Sequence, residues 1–395
     1  MRILFILFFI KTTFASTPNT WVRVADFTGS PRTGTSAFVI NDKAYITNGY
    51  DGNSYKNGLY RYYKSFDVWE KITDFPAMPR IQAVSFSIGS KGYFGSGQGV
   101  LNYTNDFWEF DTLTLAWTQK ADIGGIARKS ACGVAFGDKG YVGLGQSATG
   151  YLNDWWEYNP TTNSWAAKAS FTGTARKQAS TFVASNSCFI ACGFDGAFKK
   201  DVWAYNPATN SWVAKMNFPG TARYNATSFS IGNSGFVGLG YDNTLTYTKD
   251  MWQYNPYSNT WNQILDFGGT AREGANAFVL NGEAYVCVGY DNAYKYDVWK
   301  YTPDVSVGIK ENSNNGNSIS VYPNPTAEIL NVQCSILNEQ SYKIIITNLL
   351  GELVQQTINF QKQTTINVSQ LQSGAYFVSV LLDNKLISSQ KIIKL

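Results

Sequence analysis

The chain has 395 residues, of which 16% are aromatic and 15% charged, with a formal net charge of +4. This length and composition allow substantial buried cores and exclude global disorder, while so small and dispersed a charge excludes an electrostatic footprint for nucleic acid or an anionic membrane. There is no His, which removes Ser/His/Asp and Cys/His nucleophiles, His-ligated zinc or copper and imidazole bases together.

Residues 1–15 are expected to be a secretory signal peptide. Arg2 precedes an apolar run from Ile3 to Ile10, and Thr13-Phe14-Ala15 puts small residues three and one before the expected cut. The run is too short to span a bilayer. Removing it takes away Arg2 and Lys11 and lowers the charge from +4 to +2.

From Trp21 onward the chain repeats itself. Six times a Trp is followed eleven residues later by an Arg: Trp21/Arg32, Trp69/Arg80, Trp117/Arg128, Trp165/Arg176, Trp212/Arg223 and Trp261/Arg272. Successive arginines lie 48, 48, 48, 47 and 49 residues apart, a period in which one supersecondary unit cannot bury its own apolar face alone. Each Arg is followed by an aromatic (Tyr45, Tyr93, Tyr141, Phe189, Phe236, Tyr285), then a Gly (Gly49, Gly97, Gly145, Gly193, Gly240, Gly289). A further aromatic comes last, Tyr60 and then Trp108, Trp156, Trp203, Trp252 and Trp299, and each of these five Trp has an Asp two residues earlier.

Between these anchors lie short β-branched and aromatic runs punctuated by Gly, Asn and Asp, which predict four strands per unit. The turn between the third and fourth strands is written Asn159-Pro160, Asn206-Pro207 and Asn255-Pro256, where Pro presets φ and Asn tolerates turn conformations. Six units of four antiparallel strands predict an all-β, six-bladed propeller over 16–304. The sixth unit stops at Tyr301-Thr302-Pro303 without a fourth strand, and Thr17-Pro18-Asn19-Thr20-Trp21 matches one. The N-terminal strand is therefore expected to close the ring and remove the free sheet edge.

Over residues 20–302 these anchors resemble the kelch-repeat family. One departure is that the family's double glycine keeps only its second member, preceded by Asn48, Ser96, Leu144, Cys192, Leu239 or Val288. From Val305 to Ser318 the run has little to bury and is expected to be a linker. Residues 319–395 are strand-rich and lack the repeat. They resemble the C-terminal (type A) sorting domain of the type IX secretion system of Bacteroidetes, a small β-sandwich-like unit. The carrying residues are Val321-Tyr322-Pro323-Asn324-Pro325-Thr326, Leu330-Asn331-Val332, Leu350-Gly351-Glu352, Leu371-Gln372-Ser373-Gly374-Ala375-Tyr376-Phe377-Val378 and Lys391-Ile392-Ile393-Lys394-Leu395. The resemblance implies the type IX machinery as a partner, passage across the outer membrane, and release or attachment at the cell surface.

No catalytic constellation, cofactor motif or metal motif is legible. Cys188 and Cys192 sit four apart on one strand, roughly 13 Å at strand rise, too far for a disulfide. Cys132 and Cys287 fit as apolar filler. Arg32, Arg80, Arg128, Arg176, Arg223 and Arg272 carry two readings. Each opens an inner strand and pairs with an acidic residue or turn carbonyls, or the six form a guanidinium ring near one mouth of the central channel, able to hold carboxylates or anionic sugars bidentately. The loops between the second and third strands carry Tyr50, Tyr103, Tyr151, Phe194, Tyr241 and Tyr290 beside Asp51, Asp195, Asp242 and Asp291. Such aromatics suit a glycan or protein ligand, or they cover turns that the Asp residues cap. Trp155 is the one Trp outside the repeat pattern, open to exposed contact or edge packing. Three function classes follow: a secreted or surface-displayed binding module, a structural surface component, or a sugar mutarotase-like enzyme using Arg272 and Glu273.

Overall fold

The alternating apolar runs of each repeat become strands of about five residues in the computed structural model, which describes residues 19–303, 319–334, 342–348, 353–359, 363–382 and 385–395. The expected signal peptide and linker lie outside the described residues. Every regular element among the described residues is a strand. The chain divides into two units, Met1–Pro303 and Asp304–Leu395.

Unit 1 contains six four-stranded antiparallel sheets. In the third, for example, Cys132–Phe136 pairs with Lys139–Gly143, then Trp155–Asn159, then Ser164–Lys168. In the sixth, Asn276–Leu280, Glu283–Cys287 and Val298–Thr302 are joined by Thr20–Val24, which pairs antiparallel from Thr20 opposite Thr302 to Val24 opposite Val298. First strands of successive sheets touch in order, and Ser36–Ile40 also touches Asn276–Leu280. Second strands are buried on four of five residues, as in Lys43–Thr47 and Glu283–Cys287, because neighbouring sheets cover both faces. The fourth strands are largely exposed.

Each core lies between two sheets. One cluster joins Ala44, Ile46, Tyr62 and Trp69 of the first sheet to Phe278, Tyr285, Cys287 and Val298 of the sixth. Another holds Trp155, which is fully buried against Tyr141, Tyr205 and Trp212. Trp155 is therefore core, not an exposed contact. The close approach is visible at Gly140, where a Cβ would lie 2.4 Å from the Phe86 ring of the previous sheet.

The Asn turns act as expected and extend across repeats. Asn159, Asn206 and Asn255 each accept the amide two residues on, at 2.9 to 3.0 Å. Further along the same turns Asp67, Asn163, Asn210 and Asn259 adopt left-handed φ and accept two hydrogen bonds each. One comes from a Tyr hydroxyl of their own sheet, the other from a backbone amide of the previous repeat. The tryptophans beside them donate Nε1 to carbonyls of the previous repeat, as Trp212 does to Ala169 at 2.9 Å. The second sheet breaks the pattern. It has Leu115 at the left-handed position, Phe110 in place of the Tyr, and a Trp117 Nε1 with no protein partner.

The residue that replaces the first glycine of the family pair is left-handed in all six repeats, even as Leu144, Leu239 or the β-branched Val288. Glycine is the residue that takes this conformation without steric cost. These side chains are buried, which offsets the strain.

Unit 2 has a three-stranded sheet of Ile319–Tyr322, Ile329–Cys334 and Gln363–Asn367, and a four-stranded sheet of Leu353–Asn359, Tyr342–Asn348, Gly374–Leu382 and Lys385–Lys394. One core, including Leu330, Val332, Ile344, Ile346, Val378 and Val380, draws on both. The Pro-Asn-Pro-Thr segment holds the last strand: Asn324 Oδ1 accepts the Ile393 amide, Thr326 donates its amide to Ile393, and Leu395 donates to Thr326, each at 2.8 Å.

Candidate functional site

The arginines build the frame on which the site stands. Arg176 donates Nη1 and Nη2 to the two oxygens of Asp201 at 2.6 and 2.8 Å, Nη1 also to the Cys192 carbonyl and Nε to the Thr174 carbonyl. Trp203 Nε1 donates to the same carboxylate at 2.7 Å. Arg80/Asp106, Arg128/Asp154, Arg223/Asp250 and Arg272/Asp297 repeat the fork. In each repeat the accepting carbonyl belongs to the left-handed residue before the Gly, so that conformation aims the carbonyl at the guanidinium. Arg32 is the exception. Gly58 and Tyr60 stand where the other repeats have Asp and Trp, so its guanidinium keeps the Asn48 carbonyl and bonds Ser30 without a carboxylate fork. Burial pushes Arg32 below the usual arginine value, with Tyr60 acting in the opposite sense.

All six arginine side chains are at most 3% exposed. The expectation of a guanidinium ring offered to ligands is corrected for Arg32, Arg80, Arg128, Arg176, Arg223 and Arg272: their donors are engaged inside the protein, and a carboxylate 25 to 27 residues downstream holds five of them. The suggested Arg272/Glu273 proton-transfer pair is corrected for the same reason, since Asp297 takes both Nη atoms of Arg272.

The loop aromatics stand in two tiers. The residue after each Gly pairs its backbone with the residue after each Arg: Thr33 with Tyr50, Ile81 with Gln98, Lys129 with Gln146, Lys177 with Phe194, Tyr224 with Tyr241 and Glu273 with Tyr290. An outer tier, Tyr55, Tyr103, Tyr151, Phe198, Tyr247 and Tyr294, pairs onto the inner one. Tyr50, Phe194, Tyr241 and Tyr290 are therefore inner residues, whereas Tyr103 and Tyr151 are outer. Rings run in contact from Tyr151 through Phe194, Phe198, Tyr224, Tyr241, Tyr247, Tyr290 and Tyr294 to Tyr50, with neighbouring centroids 5.0 to 6.3 Å apart. The adjacent carboxylates cap their own loops. Asp51, Asp195 and Asp242 accept nearby backbone amides, and Lys56, Lys199 and Lys295 pair with Asp51, Asp195 and Asp291. Asp51 is held well below the usual carboxylate range: burial opposes its charge, and Lys56 with the Ser54 and Asn53 amides outweighs that.

The loops surround a cavity of about 190 Å³ lined by Gly34, Gln82, Ser130, Gln178, Asn225 and Gly274 with the small residues that follow them. These six have φ between 54° and 65°. Their backbones form a belt in which Gln82, Ser130, Gln178, Asn225 and Gly274 each donate an amide to the equivalent carbonyl of the previous repeat. A roomier open cleft of about 640 Å³ lies beside Arg223, Asp242 and Asp250, but those groups are already bonded within the protein.

Of the charged residues at the rim, Glu273 stood out in the sequence, while Lys129 and Lys177 did not. Glu273, immediately before the cavity residue Gly274, accepts from Asn225 Nδ2 at 3.3 Å, and burial raises its carboxyl above the usual value. Lys129 and Lys177 hold the same register in the third and fourth repeats. The signal available was the variation at the position after each Arg, which the uniform Arg next to it obscures. Cys132, Cys188, Cys192 and Cys287 are free and buried, and burial pushes the Cys132, Cys188 and Cys192 thiols up to about 12. The Cys334 side chain lies outside the described residues. No metal-holding cluster of His, Cys, Asp or Glu occurs among the described residues.

Comparison with family models finds a Kelch motif at residues 31–76 and a Secretion system C-terminal sorting domain at residues 320–395. No curated protein matches the chain. The chain thus carries a Kelch motif in its first repeat and a type IX secretion-system C-terminal sorting domain at residues 320–395, and the six four-stranded antiparallel sheets of unit 1 are consistent with a kelch propeller.

Proposed function

We propose that the chain is a secreted or cell-surface binding module for glycan or protein ligands, exported by the type IX system after loss of a signal peptide at 1–15. In this reading residues 16–304 are a six-bladed propeller whose ring the N-terminal strand closes, 305–318 are a linker, and 319–395 are the export signal. The pairing of Thr20–Val24 with Val298–Thr302 supports the closure. The observation that carries the binding role is the aromatic arc at one mouth of the channel. Its rings contact one another over the loops of five consecutive sheets, while the charges that build the fold are bonded internally. Flat rings cover the apolar faces of a ligand, and the polar rim orients it.

Probing a glycan and peptide array with the full chain tests this. Tyr241→Ala and Tyr290→Ala are expected to abolish the hits at unchanged melting temperature, since central Tyr residues carry more than ~2 kcal/mol of binding energy. Hits that survive both substitutions refute the assignment of this face and move the site to the opposite one.

A further inference from the structure

The aromatic inner tier is interrupted in two adjacent repeats, where Gln98 and Gln146 replace the ring. Each Gln receives a lysine from the following repeat. Lys129 Nζ donates to Gln98 Oε1 at 2.6 Å, and Lys177 Nζ donates to Gln146 Oε1 at 2.9 Å. Gln146 also pairs its backbone with Lys129, which ties the two lysines into one unit. The ammonium of Lys129 lies 5.1 Å from the Tyr103 ring centre, and that of Lys177 lies 5.6 Å from Tyr151 and 5.9 Å from Phe194.

An ammonium has three donors, so one bond to a Gln oxygen leaves two to be met by water or a ligand. Lysines of the neighbouring loops, such as Lys56, Lys199 and Lys295, are neutralised by aspartates. Among the described residues neither Lys129 nor Lys177 has a carboxylate partner. Like charges brought together without a counterion repel, and Lys177 is lowered from the usual lysine value by burial and by Lys129. Three repeats from Lys129 around the ring, Glu273 stands at the same register with no cationic partner among the described residues. The mouth is thus cationic on one side and anionic on the other, with amides and hydroxyls between.

We infer that the Lys129/Lys177 side of the mouth is a subsite for the acidic group, carboxylate or sulfate, of a charged glycan whose sugar rings lie along the aromatic arc. Two adjacent ammoniums supply one charge-assisted bond to each of two oxygens. Side-chain amides both donate and accept, which matches sugar hydroxyls, and Glu273 accepts from a hydroxyl on the far side. The inference rests on the binding role proposed above.

The test titrates the full chain calorimetrically with a tetragalacturonate, its methyl ester, a sulfated oligosaccharide and a Glu-rich peptide. An acidic glycan is expected to bind at least about tenfold more tightly than the ester, with the advantage shrinking as salt rises. Lys129→Gln/Lys177→Gln should bring the acidic glycan to the affinity of the ester without lowering the melting temperature, and Lys129→Gln alone should fall between. The uronate and sulfate arms identify the acidic group. Equal affinity for acid and ester, an unaffected double variant, or binding of the peptide with no glycan overturns the inference. Loss of ester binding in Tyr241→Ala would leave the binding face standing even then, so the two failures are distinguishable.

Discussion

The substitution Asp201→Asn puts the arginine frame to a quantitative test. Asp201 is 32% exposed, while its partner Arg176 is 1% exposed. The variant keeps shape and volume but leaves the Arg176 cation buried without a countercharge, and its amide turns one acceptor oxygen into a donor facing either Arg176 Nη1, or Nη2 and Trp203 Nε1 together. Breaking a buried pair this way costs ~3–5 kcal/mol, and water reaching the Asp201 side places the expected loss near the lower end, about 3 kcal/mol. Urea unfolding followed by tryptophan fluorescence reads it as a lower midpoint at unchanged slope. An exposed control, Asp26→Asn in the Arg23/Asp26 pair, whose side chains are 50% and 34% exposed, should lose under about 1 kcal/mol. The sign of the pH dependence follows from the depressed acid. Burial alone would raise the Asp201 pKa, but Arg176 and Trp203 outweigh it and lower the value. Its contribution is therefore complete above the unfolded carboxylate value of about 3.9 and is lost as pH falls through the folded one. The gap between wild type and Asp201→Asn should be flat from pH 8 to about 5 and narrow below about pH 4. A variant within about 0.5 kcal/mol of wild type at pH 7, or a gap that grows in acid, would refute a stabilising role for the pair.

Deleting residues 16–26 removes a strand with five register pairs and Trp21, whose ring lies 5.1 Å from Phe267 and 5.0 Å from Tyr301. It should cost roughly 3–5 kcal/mol, and a truncation from 305 onward should leave the propeller transition in place; equal melting of the two would show the closure to be misplaced. Leu115→Asn should stabilise by about 1 kcal/mol, because Asn tolerates the left-handed φ of 56° that strains Leu and can accept an amide as its equivalents do. An unchanged or lower unfolding midpoint would count against the cross-repeat latch. The tail from Ile319 should carry a fused reporter out of a Bacteroidetes cell, measured as reporter in the medium or on the surface and absent from the periplasm; periplasmic retention in a secretion-competent strain would contradict it.

Much of this molecule was legible locally. The Trp/Arg spacing, the alternating strands and the Asn-Pro turns are set by side-chain period and by φ preferences within a few residues, and these appear in the structure where the sequence placed them. The aromatic loop residues were also legible as a group, because at least one aromatic falls within seven residues after each repeat glycine. Other features needed the three-dimensional ring. Arg176 and Asp201 are 25 residues apart, and only the pairing of strands brings the second carboxylate oxygen onto the second guanidinium nitrogen. Trp155 reads as a stray neighbour of Trp156, yet the next sheet covers it completely. The division of the loop aromatics into tiers, and the meeting of Lys177 with Gln146 across repeats, depend on register between segments 31 residues apart. Sequence pattern alone determined the strands, their turns and their repetition, because those follow from local sterics and burial period. Tertiary structure decided which charges are neutralised and which remain at the mouth, because neutralisation depends on distances between repeats that no local preference sets.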